Sequence, residues 1–224
     1  MDKVSKYDFE LDMEHENSLS MIISMVEKDS IVLEFGPANG RMTRYLKENM
    51  NCTVDIVERD IDAGKEAENY SRNSLLGSSD GDIEKFIWCQ QLDGNKYDYI
   101  IFADVLEHLH NPAKVLSSAK DFLSENGRIL LSVPNIAHNA ILLDLMDNNF
   151  EYKNVGLLDS THIHFFAYHN LKKMIKECGY YCVKEAATYC RPENTEFHNS
   201  YNHVTKEMKK SLCNKEYGNV YQFV

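Results

Sequence analysis

The sequence predicts an α/β fold, a doubly wound and mostly parallel sheet with helices on both faces. Three observations carry that prediction. Apolar β-branched runs alternate with segments of helical periodicity along the whole chain. The first run, Ile31-Val32-Leu33, ends at Glu34 and a glycine-bearing turn before a helix. A second run ends at another acid, Glu58, about 20 residues past that turn, where an open α/β fold places a carboxylate against ribose hydroxyls.

In chain order, Ser18 to Lys28 sets Leu19, Ile22, Ile23 and Val26 at helical spacing. Ile31 to Leu33 is a buried strand, and Arg41 to Met50 a helix. Thr53 to Val57 is the second strand, Ile61 to Tyr70 a crossover helix, and Ser74 to Ser78 holds a short strand. Ile83 to Leu92 reads as a helix, and Asp93-Gly94-Asn95 as a turn. Tyr97 to Phe102 is a strongly apolar strand. Pro112 to Ser124 is a helix with proline at its start, broken by Asn126-Gly127. Arg128 to Val133 is a strand ended by Pro134-Asn135. Then come a helix over Ile136 to Met146, a loop-rich stretch to about Thr161, and a helix over Leu171 to Cys178 capped by Gly179. Tyr181 to Tyr189 is a strand, His203 to Leu212 a helix, and Asn219 to Val224 the last strand. Ligands in such a fold gather at the carboxyl ends of the strands. There stand Glu34 to Gly40, Glu58, Ala103 to His108, and Pro134-Asn135.

Composition narrows the function class. The 224 residues suit one domain, 1–224, with a real core. The net charge of −11, with no basic stripe to offset it, argues against nucleic acid. No apolar run approaches a bilayer span, and residues 1–8 lack an apolar signal region, so no membrane association is expected. The six cysteines form no CxxC pair, which points to reduced thiols and the cytoplasm. A small molecule is the expected partner. Oligomeric state is left open, a homodimer included.

The glycine turn Glu34-x-Gly36-x-x-x-Gly40 resembles the cofactor loop of class I S-adenosylmethionine-dependent methyltransferases. Asp104-Val105-Leu106-Glu107-His108-Leu109 resembles the exit of their fourth strand, and Gly127 to His138 their fifth strand and its exit loop. Leu158 to Phe166, Leu-Asp-Ser-Thr-His-Ile-His-Phe-Phe, resembles a subgroup associated with cell-surface polysaccharide biosynthesis. The likeness runs from about Tyr7 to Val224. It implies a Rossmann-like, seven-stranded mixed sheet whose last strand, Tyr221 to Val224, is antiparallel.

The resemblance implies S-adenosylmethionine as cofactor, held by Glu34, Gly36, Pro37, Ala38, Gly40, Glu58, Arg59, Asp82, Ile83, Ala103, Asp104 and His108. Asp82 would accept from the adenine amino group and the Ile83 amide would meet a ring nitrogen, while an aspartate there is equally a helix N-cap. It implies methyl transfer to an oxygen or nitrogen of a small molecule, a sugar or sugar nucleotide among the options. Two departures stand out. Ala38 replaces the middle glycine, which is harmless if its φ is negative. His164 stands where the subgroup commonly has arginine, whose fork would hold a carboxylate or phosphate; that bears on the substrate rather than the cofactor.

An alcohol or amine acceptor must lose a proton, and a histidine is the natural base at neutral pH. The candidates are His108, His162 and His164. Their spacing matches no zinc motif such as HExxH, so no metal is expected. Residues 148–169 and 191–215 are expected to shape the acceptor pocket. Tyr152, Phe165, Phe166 and Tyr168 there either stack on a ring or cover the core, and core is the expectation. A nicotinamide-dependent oxidoreductase is the rival reading; against it stand the acid before Gly36 and the lack of GxGxxG. A non-catalytic cofactor-binding homologue is the third.

Overall fold

The structure, a computed structural model, describes residues 10–224; Tyr7, where the family likeness begins, and the N-terminal residues read for a signal lie outside them. The strands are β1 (Ile31–Phe35), β2 (Thr53–Glu58), β3 (Asn73–Leu76), β4 (Tyr97–Ala103), β5 (Leu123–Pro134), β6 (Ala187–Tyr189) and β7 (Val220–Phe223). The helices are α1 (Ser18–Ser24), α2 (Arg41–Met50), α3 (Ile61–Glu68), α4 (Gly77–Asp80), α5 (Ile87–Gln91), α6 (Pro112–Ala119), α7 (Asn139–Met146), α8 (Tyr168–Glu177) and α9 (Lys206–Cys213). The seven strands form one sheet in the order β3-β2-β1-β4-β5-β7-β6. Pairing is parallel from β3 to β5, and β7 runs antiparallel to both β5 and β6. The Rossmann-like mixed sheet expected from the sequence is therefore present, with its antiparallel last strand.

The chain divides into two compact units. The first comprises residues up to Val105 together with Leu109–Ser132; the second comprises Leu106–His108 and Val133–Val224.

In the first unit, β1 lies between β2 and β4, and both its faces are covered. Val32, Leu33, Phe35, Ile56, Ile100, Ile101 and Phe102 are all completely buried. Such runs are continuous rather than alternating because a parallel sheet is buried on both sides. Phe35 stacks on Phe102 with centroids 4.7 Å apart and meets Trp88 edge-on at 4.9 Å. Each such burial contributes about 1.5–3 kcal/mol. α2 turns Met42, Thr43 and Leu46 inward, and α3 turns Ala63, Gly64 and Ala67 inward. Asp60 caps α3, accepting from the amides of Asp62 and Ala63.

On β2 of this unit a carboxylate is fully buried. Asp55 on β2 accepts two bonds from Arg72 (2.9 and 2.5 Å), one from the Tyr97 hydroxyl (2.8 Å), and two from Asn73 (3.1 Å each). A buried carboxylate is tolerable only when satisfied in this way.

Several elements differ from the sequence expectation. The helix expected over 18–28 stops at Ser24. The helix expected over 83–92 is broken: Ile83–Lys85 is a 3₁₀ turn, and Phe86, at φ 58°, separates it from α5. The helix starting at Pro112 tightens after Ala119 into a 3₁₀ turn, Lys120–Phe122. β5 is longer than Arg128 to Val133: Leu123 pairs with Tyr97 and Arg128 with Tyr99, so Asn126-Gly127 sits in a bulge inside the strand.

In the second unit, β7 pairs with the end of β5 through Val133 and Pro134, and with β6 through Ala187 to Tyr189. Only those three residues of the expected 181–189 strand are in the sheet. Tyr181 and Val183 are 85% and 65% exposed, so their alternation does not mark a buried face. α7 begins at Asn139 rather than Ile136, because His138 caps it by accepting from the Ala140 amide (3.1 Å). α8 begins at Tyr168, earlier than expected, and α9 at Lys206 behind the cap Thr205. Ile141, Leu157 and Leu158 form a small core packed by Ile136, Phe165, Phe197 and Tyr221.

Candidate active site

The loop after β1 is built on alternating left-handed residues. Gly36, Ala38 and Gly40 have φ of 66°, 51° and 81°. A Cβ at Gly36 would stand 2.8 Å from a Val105 methyl, and one at Gly40 would stand 2.5 Å from the Ala67 Cα. Both glycines are thus required twice over, by backbone and by space. Ala38 departs from the expectation: its φ is positive, so its methyl carries the strain that a glycine would avoid. Its conformation is held by a bond from its amide to Glu58 Oε2 (2.9 Å). Pro37 is buried beside it.

Glu58 closes the end of β2. Its Oε1 accepts from the Asp60 amide at 2.8 Å. Each carboxylate oxygen therefore holds one backbone N–H and keeps a further lone pair for a ligand hydroxyl. Burial pushes its pKa above the ordinary carboxylate range, against the amide bonds that pull it down. Glu34 lies deeper. Burial pushes its pKa up to about 7; the Thr43 hydroxyl, donating to Oε2 at 2.7 Å, opposes this, and the charge of Glu58 adds to it.

Asp82 caps the Ile83–Lys85 turn, its Oδ1 accepting from the Glu84 amide at 3.1 Å. Its Oδ2 lies 3.9 Å from Nε of the exposed Arg59, a contact that contributes little to stability. The Ile83 amide is one of the orphan donors that any helix start presents. Gly81 lies so close to the Glu58 backbone that a Cβ would meet its carbonyl oxygen at 1.9 Å. Half-buried Ala103 ends β4. Asp104, at φ 54°, is fixed by its amide to the Ser132 carbonyl (3.2 Å) and by the Ser132 hydroxyl donating to its Oδ1 (2.8 Å).

The three candidate histidines, His108, His162 and His164, belong to the second unit. The Glu107 carbonyl accepts from the amides of both Ile163 and His164 (2.9 and 3.0 Å), which binds the Leu158 to Phe166 segment to the residues after β4. The His108 and His162 rings meet edge-on, centroids 4.9 Å apart. His108 Nδ1 lies 3.2 Å from both the carbonyl and the hydroxyl of Thr161, and that hydroxyl donates to Asp159 Oδ1 at 2.7 Å. His162 Nδ1 lies 3.4 Å from the Leu157 carbonyl. Donor atoms of Glu107, His108 and His162 lie within 4.8 Å of one another. His164 is half-buried, and its Nδ1 is enclosed with no hydrogen-bond partner among the described residues.

His138, by contrast, is structural. Its Nδ1 caps α7, its Nε2 bonds the Cys190 carbonyl at 2.9 Å, and burial lowers its pKa, so it is held neutral. The four aromatic residues divide. Phe166 is buried and Phe165 packs on the small core, as expected; Tyr168 stacks on Tyr217 at 4.3 Å; Tyr152 is 52% exposed and not core. Sequence reasoning missed Thr43, Ser132 and Thr161, each of which orients a predicted site residue. An in-register partner strand would have flagged Ser132; nothing local flags the other two.

The glycine loop, the acid at the end of β2 and the strand order together define a class I S-adenosylmethionine-dependent methyltransferase. The methyltransferase domain family matches residues 19–185, and the chain belongs to it. That membership sets aside the nicotinamide reading. The ubiquinone biosynthesis O-methyltransferase of Glaesserella parasuis serovar 5 is 28% identical over 168 residues, 74% of this chain. The match spans 64% of that relative's length. Among solved structures, an S-adenosylmethionine-dependent methyltransferase from Archaeoglobus fulgidus superposes with a TM-score of 0.63 at 18% identity, covering 92% of this chain and 88% of that one. The YcgJ protein of a Bacillus species superposes with a TM-score of 0.55 at 15% identity, covering 93% and 94%. These two likenesses bear on the fold alone.

The residues present fit the cofactor. The bare loop Gly36 to Gly40 allows close approach to its backbone, and Glu58 retains acceptor capacity for a ribose diol. Bound there, the cofactor would supply a methyl already activated by its sulfonium, and the protein's part would be chiefly orientation.

Proposed function

We propose that this chain transfers the methyl group of S-adenosylmethionine to a hydroxyl oxygen of a small molecule, with a sugar or sugar nucleotide as the acceptor class. Glu58 binds the ribose diol, and Gly36 to Gly40 with Pro37 and Ala38 receive the rest of the cofactor. Arg59, Asp82 and Ile83 flank the adenine, and Ala103 and Asp104 complete the wall at the end of β4. The observation that supports an acceptor role for the second unit is His164, whose Nδ1 is enclosed without a partner. An enclosed, unpaired ring nitrogen costs stability unless a ligand group or water meets it. His164 is the base we assign to the acceptor hydroxyl, with His108 and His162 beside it in the same segment pair.

Oxygen rather than nitrogen is favoured by the O-methyltransferase relative. The polysaccharide-associated sugar class rests on the Leu158 to Phe166 resemblance. Residues 148–169 and 191–215 are the proposed pocket walls of a single functional domain. Among the described residues no helix is long and apolar enough to cross a membrane, and all six cysteines are free thiols, in keeping with a cytoplasmic enzyme. The test is turnover with S-adenosylmethionine against a panel of sugars, sugar nucleotides, phenols and amines, scoring S-adenosylhomocysteine by mass spectrometry. Turnover with hydroxyl acceptors is expected. Turnover with amines alone would overturn the oxygen assignment. Cofactor binding with no turnover on any acceptor would favour a non-catalytic homologue.

A further inference from the structure

We propose that Glu107, His108 and His162 form a binding site for a divalent transition-metal cation. The donor atoms lie within 4.8 Å of one another, although two come from the segment after β4 and the third from a distant loop. Glu107 and His162 are 1% and 9% exposed, and His108 is half-buried. Two imidazoles and a carboxylate are the ligand set that suits Zn²⁺, Fe²⁺, Co²⁺ or Mn²⁺ with a position left open. Tetrahedral ligation at Zn–N and Zn–O of about 2.0–2.2 Å sets donors roughly 3.4 Å apart.

The surroundings are those of a supported ligand set. A metal-binding histidine characteristically directs its other nitrogen at a carbonyl or carboxylate, which fixes its tautomer. His108 Nδ1 faces the Thr161 carbonyl and His162 Nδ1 faces the Leu157 carbonyl. A carbonyl only accepts, so each Nδ1 that faces one carries the ring proton, and Nε2 is the atom each ring would offer to a cation. Thr161 is itself clamped by Asp159, through both its amide (2.8 Å) and its hydroxyl (2.7 Å). The bonds from Ile163 and His164 to the Glu107 carbonyl then hold the two ligand-bearing segments together. Sequence spacing hides the arrangement, because only two of the three ligands are neighbours in the chain.

An acceptor hydroxyl is a fitting further ligand, and a cation there would ease loss of its proton. That extension rests on the methyl-transfer reading; the metal site itself does not. In the proposed division, His108 and His162 hold the cation and His164 takes the proton.

The test uses the full chain without a histidine tag, stripped by chelator and titrated with Co²⁺ by visible absorption and with Zn²⁺ by calorimetry. One equivalent is expected to bind, with d–d bands of a low-coordinate Co²⁺ site. His162→Ala and Glu107→Gln should each weaken binding at least tenfold, Thr161→Val should weaken it less, and His169→Ala, an exposed histidine outside the cluster, should leave it unchanged. Far-UV circular dichroism checks the folding of each variant, and His108→Ala serves where a buried substitution unfolds the chain. Less than a tenth of an equivalent bound, or equal binding by His162→Ala and His108→Ala, overturns the proposal. S-adenosylmethionine titrated into the same stripped protein separates the two readings. Its binding without metal binding refutes the site alone; metal binding without it refutes the cofactor reading alone.

Discussion

Glu34→Gln should change how stability depends on pH. Burial raises the folded pKa of Glu34 from 4.5 to about 7. A carboxyl raised in this way stabilises the fold fully below the unfolded pKa and loses that contribution as pH climbs through the folded value. At 1.36 kcal/mol per unit, a shift of about 2.5 units amounts to about 3.4 kcal/mol in all, of which about 2.5 kcal/mol is lost between pH 5 and pH 8. Gln is close in shape, does not ionise, and still accepts from the Thr43 hydroxyl through its amide oxygen. Urea unfolding followed by far-UV circular dichroism at pH 5, 6, 7 and 8 gives the difference between variant and parent. That difference should move in favour of the variant by about 2.5 kcal/mol across the range. Other titrating groups cancel in it. A difference constant to within about 0.5 kcal/mol would mean that Glu34 ionises normally in the folded chain.

Three further outcomes are expected. Glu58→Ala removes the ribose acceptor and frees the Ala38 amide; calorimetry should show S-adenosylmethionine affinity falling at least tenfold, about 1.4 kcal/mol or more, and unchanged affinity would sink the ribose assignment. Ala38→Gly relieves a φ of 51° and should raise stability by about 1 kcal/mol, the left-handed strain of roughly 1–2 kcal/mol less the extra unfolded-state entropy of glycine; a lower melting temperature would contradict the strain argument. Asp55→Ala leaves the buried Tyr97 hydroxyl without its acceptor and releases the exposed Arg72 to water; it should cost about 1–3 kcal/mol in chemical denaturation, more than loss of a surface pair.

The parts of the fold visible in the sequence were those set by local pattern. β1, β2 and β4 announce themselves because a doubly covered strand must be apolar throughout, and α2 because Gly40 and Asn51 mark its two ends with left-handed residues. The break at Phe86 was hidden. Its ring lies beneath the Lys114 ammonium, 4.3 Å away, and Trp88 beside it is wholly buried, so tertiary packing overrides a helical pattern there. The proposed cofactor residues follow from the same kind of pattern as the strands: Glu34, Gly36, Gly40 and Glu58 are set by spacing along one βαβ unit. The positive φ of Ala38 was not, since it depends on a bond to Glu58 across the loop. Nor was the meeting of His108 with His162, which depends on how the 153–162 loop folds back through bonds such as Ser160 to Lys153.

The chain has a single tryptophan, and its placement makes it an optical probe that needs no label. Trp88 is wholly shielded from water, packed against Phe35 and Phe122, and its indole donates to the Ile83 carbonyl at 2.8 Å. Its emission is accordingly expected at short wavelength in the native state, shifting to the red when the first unit melts. The hydrogen-bonded carbonyl belongs to the residue whose amide is proposed to meet the adenine. Ligand arrival at that turn should therefore register as a change in indole fluorescence, giving a continuous, real-time readout of occupancy from the unmodified polypeptide.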